Sequence, residues 1–138
     1  MSDEKHVINN ENEEEVLRKL IQAKNEIPKR KVFLKRLGVE ITLRALKSTE
    51  IFYARERSTI RLKNGQERFD NEKFYCLIVA QAIESPNLKD KKLLEAYNAI
   101  TPEEVVKELF LSGELIQLAD IVLDISGYNE EIEDIKNL

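Results

Sequence analysis

One histidine and one cysteine stand in a chain of 138 residues. His6 lies in a polar, acidic stretch, and no Ser/His/Asp or Cys/His arrangement can be built without it. Cys76 sits among Phe74, Leu77, Ile78 and Val79 with no base positioned to make a thiolate, so it reads as a buried thiol. No CxxC pair or histidine cluster offers a metal site. No glycine-rich loop precedes a helix to cradle phosphate. The acid pair Glu103-Glu104 follows Thr101-Pro102, where it compensates a helix dipole better than it serves as a general acid/base pair. The expectation is no catalytic residue, no cofactor and no metal: a chain that works by binding.

One cluster has a second reading. Lys29, Arg30, Lys31, Lys35 and Arg36 surround Phe33, and basic residues with an aromatic are how single-stranded nucleic acid is held. A small regulatory nucleic-acid-binding protein using Lys29 to Arg36 is therefore the alternative function. Against it stand the single aromatic and the net charge of −4, which makes a poor electrostatic footprint. The bland reading is a solvated face whose charges offset the acids elsewhere.

The elements that position these residues follow from pattern. Hydrophobic residues make up 42% and charged residues 35%, enough apolar surface for one core and no apolar run long enough to span a bilayer. Four glycines and three prolines favour long elements. The lone cysteine and the acidic, polar N-terminus suit a cytoplasmic protein. Residues 1–11 are expected to be a disordered acidic N-terminus, 12–128 a single mostly helical domain, and 129–138 a flexible acidic tail. Asn12 followed by three glutamates should open a helix carrying Val16, Leu17, Leu20 and Ile21. Val39, Ile41 and Leu43 alternate with Glu40, Thr42 and Arg44, the mark of a half-buried strand, with Val32 to Leu37 as its partner across Gly38. A helix from about Ser48 to Ile60 and a turn at Lys63 to Gln66 follow. Next comes a strong helix capped by Asp70 or Asn71 and ended by Ser85-Pro86-Asn87, then a short one over Lys89 to Ala96. Thr101-Pro102-Glu103-Glu104 is a capping box with proline at N1. The last helix runs from Leu115 to a stop at Gly127. The fold class is mostly α, α+β at most: a compact helical domain with a small β-hairpin or strand pair near residues 32–44. Spacing places Phe52, Tyr53, Phe74, Tyr75, Tyr97, Phe110 and Tyr128 mostly in the core, with some left for a partner surface.

The order of local motifs resembles a known family. Ile83-Glu84-Ser85-Pro86-Asn87-Leu88, then Thr101-Pro102-Glu103-Glu104-Val105-Val106, then Leu109-Phe110-Leu111-Ser112-Gly113-Glu114, and finally Leu118 to Gly127-Tyr128 are similar to successive motifs of the XkdN-like phage tail assembly chaperones. The resemblance covers roughly residues 30 to 128. It implies a protein that binds the tape measure protein and helps recruit tail tube subunits, and that self-associates along its client. It also implies a place in the host cytoplasm and absence from the mature virion. The partner surface is then expected around Phe110, Gly113, Glu114, Leu118 and Tyr128, with Gly113 permitting the elbow between the last two helices. Such chaperones are often made in two lengths by a −1 frameshift, and Ile135-Lys136-Asn137 can be encoded with a slippery heptamer, which the gene sequence would decide.

Overall fold

The computed structural model of the chain describes residues 12–135, so His6 and the Lys136-Asn137 pair lie outside the described residues. Residues 28–129 form one compact unit. The described residues 12–27 and 130–135 belong to a second. Among the described residues of the second unit, helix α1 spans Glu13–Ala23, with Asn12 accepting from the Glu15 N–H as its N-cap. Residues 130–135 form neither helix nor strand.

The compact unit opens with an antiparallel hairpin, β1 (Lys29–Leu34) and β2 (Val39–Arg44), in which Val32 faces Ile41 and Phe33 faces Glu40. Gly38 closes the turn at a φ of +65°, a conformation that glycine adopts without penalty. The period-two alternation is realised as read: Ile41 and Leu43 are buried, while Glu40 is exposed and Thr42 and Arg44 half-buried. A third strand, β5 (Ile83–Ser85), pairs with β2 and gives the order β1-β2-β5. Helix α2 (Ser48–Arg57) lies between, followed by a two-stranded ribbon of β3 (Thr59–Arg61) and β4 (Glu67–Phe69).

Both β5 and the ribbon depart from the expectation of a single strand pair. Three-residue strands are too short to show a period. The helix expected to reach Ile60 ends at Arg57 because Ser58 and Thr59 turn their hydroxyls back onto the Ala54 and Arg55 carbonyls. Ser58 is fully buried in that bond.

Helix α3 (Asn71–Ala82), capped by Asp70 accepting from the Lys73 N–H, is the centre of the unit. It buries Phe74, Cys76, Ile78, Val79 and Ala82 and packs on α2, on α5 (Pro102–Leu109) and on α6 (Ser112–Leu123). Leu34, Ile41 and Leu43 from the sheet join the same core with Leu115, Leu118, Ala119 and Val122. Each such fully buried aliphatic side chain stabilises the fold by about 1.5–3 kcal/mol. Before α5 lies α4 (Lys91–Ala96), which starts two residues later than read, at the Asp90 cap. Thr101 and Glu104 make the expected reciprocal capping box, and Pro102 is the first helical residue. After α6 comes a π turn, Asp124–Tyr128, in which Gly127 leaves the helical conformation at φ +94°, and the Ser126 hydroxyl accepts from the Leu46 N–H.

The elbow between α5 and α6 has a different origin from the one expected. Gly113 is the second residue of α6, has no positive φ, and a Cβ built on it meets nothing within 4 Å. Phe110 and Leu111, with extended backbone at ψ 139° and 156°, make the bend. Glu114 then fastens it. Its carboxylate accepts from the Leu111 N–H and from Nε and Nη2 of Arg36 in the β1–β2 turn, each at 2.9 Å. The same Nη2 donates to the Leu109 carbonyl at 2.8 Å. One guanidinium thus ties the hairpin tip to the elbow, and it holds the Glu114 carboxyl below the usual carboxylate range.

A second carboxylate joins three elements. Glu50 accepts both Nη atoms of Arg44 at 3.1 and 2.8 Å, the Lys47 N–H at 2.9 Å and the Gln81 amide at 2.9 Å. The Arg44 bonds lead in lowering its pKa to about 2, against a desolvation cost that raises it, with Lys47 and Gln81 assisting. The folded carboxylate therefore binds its proton only far below the ordinary 4.5 of the unfolded chain. Its stabilisation is complete above that value and is lost as pH falls towards 2. Allowing for solvent at this rim, the contribution is about 1–2 kcal/mol at neutral pH.

Two outcomes are expected. Denaturant titrations of wild type and Glu50→Gln should differ by that amount near pH 7 and converge as pH approaches 2; a gap that persists at low pH would contradict the ion-pair account. Gly113→Ala should raise stability by about 0.4–1 kcal/mol, because an open helical glycine carries only an entropic cost; a fall in melting temperature would show that Gly113 is needed where it stands.

Candidate functional site

A groove of about 630 Å³ runs between α2, α3, the connection after β5 and the start of α5. Helical spacing builds its first wall: Thr49, Tyr53 and Arg57 recur every four residues along α2 and so share a face. Leu77, Ala80 and Gln81 of α3 line the floor with Ile83 and the buried Leu88. The far wall is Asn87, Lys89 and the capped start of α5, Thr101-Pro102-Glu103. Tyr53 is 63% exposed and sits in the first wall, where a tyrosine offers a large apolar ring with a polar tip.

The charges of the rim are mostly engaged. Arg44 and Glu50 form the pair described above, and Glu84 meets Lys29 at 2.9 Å. Arg57 reaches from α2 to Glu103 of α5 at a loose 3.8 Å and lies 5.6 Å over the Tyr53 ring. Lys89 makes no ion pair among the described residues. The result is an apolar trough with polar edges, the form that takes an amphipathic helix.

The five residues read from the sequence are not gathered on one exposed surface. Phe110 and Leu118 are 8% and 3% exposed and belong to the core. Glu114 is occupied by Arg36. Gly113 and Tyr128 are exposed, but the length of α6 and its π turn separates them by roughly 20 Å. Several groove residues (Ile83, Asn87, Leu88, Thr101, Pro102 and Glu103) belong to motifs read from the sequence, whereas spacing placed Phe52 and Tyr53 among aromatics mostly in the core, with some left for a partner surface. Both are 63% exposed. The available signal was the composition of α2, whose ten residues bury only Ile51 and Ala54.

The basic cluster is neutralised by acids from elsewhere in the chain. Lys29 pairs with Glu84, Arg30 with Asp124, Lys31 with Glu40 and Arg36 with Glu114. That leaves Lys35 as the member with no ion pair among the described residues. Of the aromatics, Phe74 and Phe110 are buried, Tyr75 and Tyr97 half-buried, and Phe52, Tyr53 and Tyr128 exposed. Cys76 is buried, and desolvation raises its thiol to about 11. Among the described residues no group of His, Cys, Asp or Glu is placed to hold a metal ion, and no helix is long and apolar enough to cross a membrane.

Comparison with known proteins bears on both fold and family. The crystal structure of the protein yqbn, a structural genomics consortium target, is similar with a TM-score of 0.56 over 75% of this chain and 87% of that one, at 22% identity. That likeness concerns the fold. None of the curated proteins compared matches. The sequence model of phage XkdN-like tail assembly chaperones matches residues 10–138. The motifs from Ser85 to Tyr128 are thus part of a match that spans nearly the whole sequence, and the chain belongs to the phage XkdN-like tail assembly chaperone family.

Proposed function

We propose that this tail assembly chaperone works without catalysis, by holding amphipathic helices of the phage tape measure protein in the groove between α2, α3 and α5. The observation that supports this most is the groove itself: an apolar floor of Leu77, Ala80 and Leu88 beneath an exposed Tyr53, in a chain of this family. A long helical client exposes apolar stripes that aggregate in water, and a trough with charged edges covers such a stripe while presenting a soluble exterior. Many copies acting together on one client would give useful retention from individually weak sites.

The rest of the reading follows from that role. The covered client would recruit tail tube subunits, with the chaperone remaining in the host cytoplasm and leaving before the virion is complete. Of the five residues singled out in sequence, Gly113 and Tyr128 are the ones with surface to offer a tube subunit. Phe110, Glu114 and Leu118 would support that surface from beneath.

The test is direct. Co-expression with a helical tape measure fragment should keep that fragment soluble, and the purified pair should bind. Tyr53→Asp should weaken binding at least about tenfold with the melting temperature unchanged, since the side chain is mostly in water. Failure of the wild-type chain to bind or solubilise the fragment would refute the proposal. Full binding by Tyr53→Asp would move the site away from the groove.

A further inference from the structure

One side chain bridges the groove. Its two helical walls, α2 and α5, each pack on α3. Among the described residues one ion pair joins the walls to each other, Arg57 of α2 with Glu103 of α5. The same guanidinium lies 5.6 Å over the Tyr53 ring. It therefore stands between that ring and the Glu103 carboxylate, and all three residues line the groove. A client helix packed on that face of Tyr53 needs the space that Arg57 occupies.

The bridge is loose where the other arginine pairs of the unit are tight. Arg44 grips Glu50 and Arg36 grips Glu114, each through two hydrogen bonds of 2.8 to 3.1 Å. Arg57 and Glu103 are 3.8 Å apart, beyond hydrogen-bond reach. Their side chains are 42% and 21% exposed, so water and salt screen the attraction. Opening the pair breaks no hydrogen bond between them. Nor does it undo the start of α5, because Glu104, not Glu103, closes the capping box there. The tight pairs hold elements together, and this one is built to let go.

We propose that Arg57 is a clasp on the groove: paired with Glu103 it covers one face of Tyr53, and a client helix seats only after the pair opens. This rests on reading the groove as a receptor for helices. The clasp lowers the apparent affinity in proportion to the fraction of molecules in which it is open. In return it covers part of an exposed aromatic surface while no client is present.

The test is a binding titration of the full chain with a helical tape measure fragment. A loose surface pair is worth only a small factor, so Glu103→Gln should bind the fragment about two- to fivefold more tightly than wild type. Arg57→Gln should gain similarly, and the double variant should gain no more than the better single one, because both changes remove the same clasp. The advantage of Glu103→Gln should shrink as salt rises from about 0.05 to about 0.5 M, since screening opens the wild-type pair. Circular dichroism checks that each variant is folded. Equal binding by wild type and Glu103→Gln at low salt overturns the clasp and leaves the groove as receptor standing. Weaker binding by Arg57→Gln also overturns it, since Arg57 would then be a client contact, and so do gains that add in the double variant. A fragment that binds none of the four chains sinks the receptor reading, and the clasp with it.

Discussion

The carboxylate of Glu50 is the point on which the groove depends. It sits at the start of α2, yet its four hydrogen bonds reach back to Arg44 at the end of β2, down to the backbone of Lys47 and across to Gln81 on α3. Three elements that already share the core are joined to one another again at the groove rim. Arg44 and Glu50 are both only 22% exposed in their side chains, so the pair is shielded enough to matter and wet enough to avoid the full cost of burying charge. Apart from it, the wall that carries Tyr53 is held by the buried Ile51 and Ala54, by Arg55 over the Phe74 ring and by the loose Arg57–Glu103 pair.

Arg36 does for the other end of the unit what Arg44 does here. The hairpin tip is otherwise tethered by its strand pairing and by the buried Leu34. The bidentate bond to Glu114 and the bond to the Leu109 carbonyl attach that tip to the elbow, while Arg30 and Asp124 attach the strand at the far end of α6. The basic cluster is in this sense a set of fasteners. Four of its five cations, all but Lys35, are paired with acids of the described residues.

Where local chemistry is strong, the chain could be read residue by residue. Asn12, Asp70 and Thr101 cap helices as their side chains dictate, Gly127 stops the last one, and the alternation of Ile41 and Leu43 with Glu40, Thr42 and Arg44 is a strand. The short strands escaped because three residues carry no period, and β5 exists only because β2 is there to pair with. The elbow was credited to Gly113 because glycine is the usual breaker, whereas the bend lies in Phe110 and Leu111. The groove escaped for a deeper reason. A partner surface and a core both ask for aromatic and aliphatic side chains at helical spacing, and only the packed structure separates Phe74, which is buried, from Tyr53, which is not.

The central claim is that the surface between α2, α3 and α5 receives a helix. Backbone amide shift mapping of the labelled full chain during titration with a helical tape measure fragment tests it most directly. Shifts concentrated at residues 49–57, 77–89 and 101–103 are the predicted result. Shifts confined to the exposed face of α6 and to Tyr128, or none at saturating fragment, would contradict it.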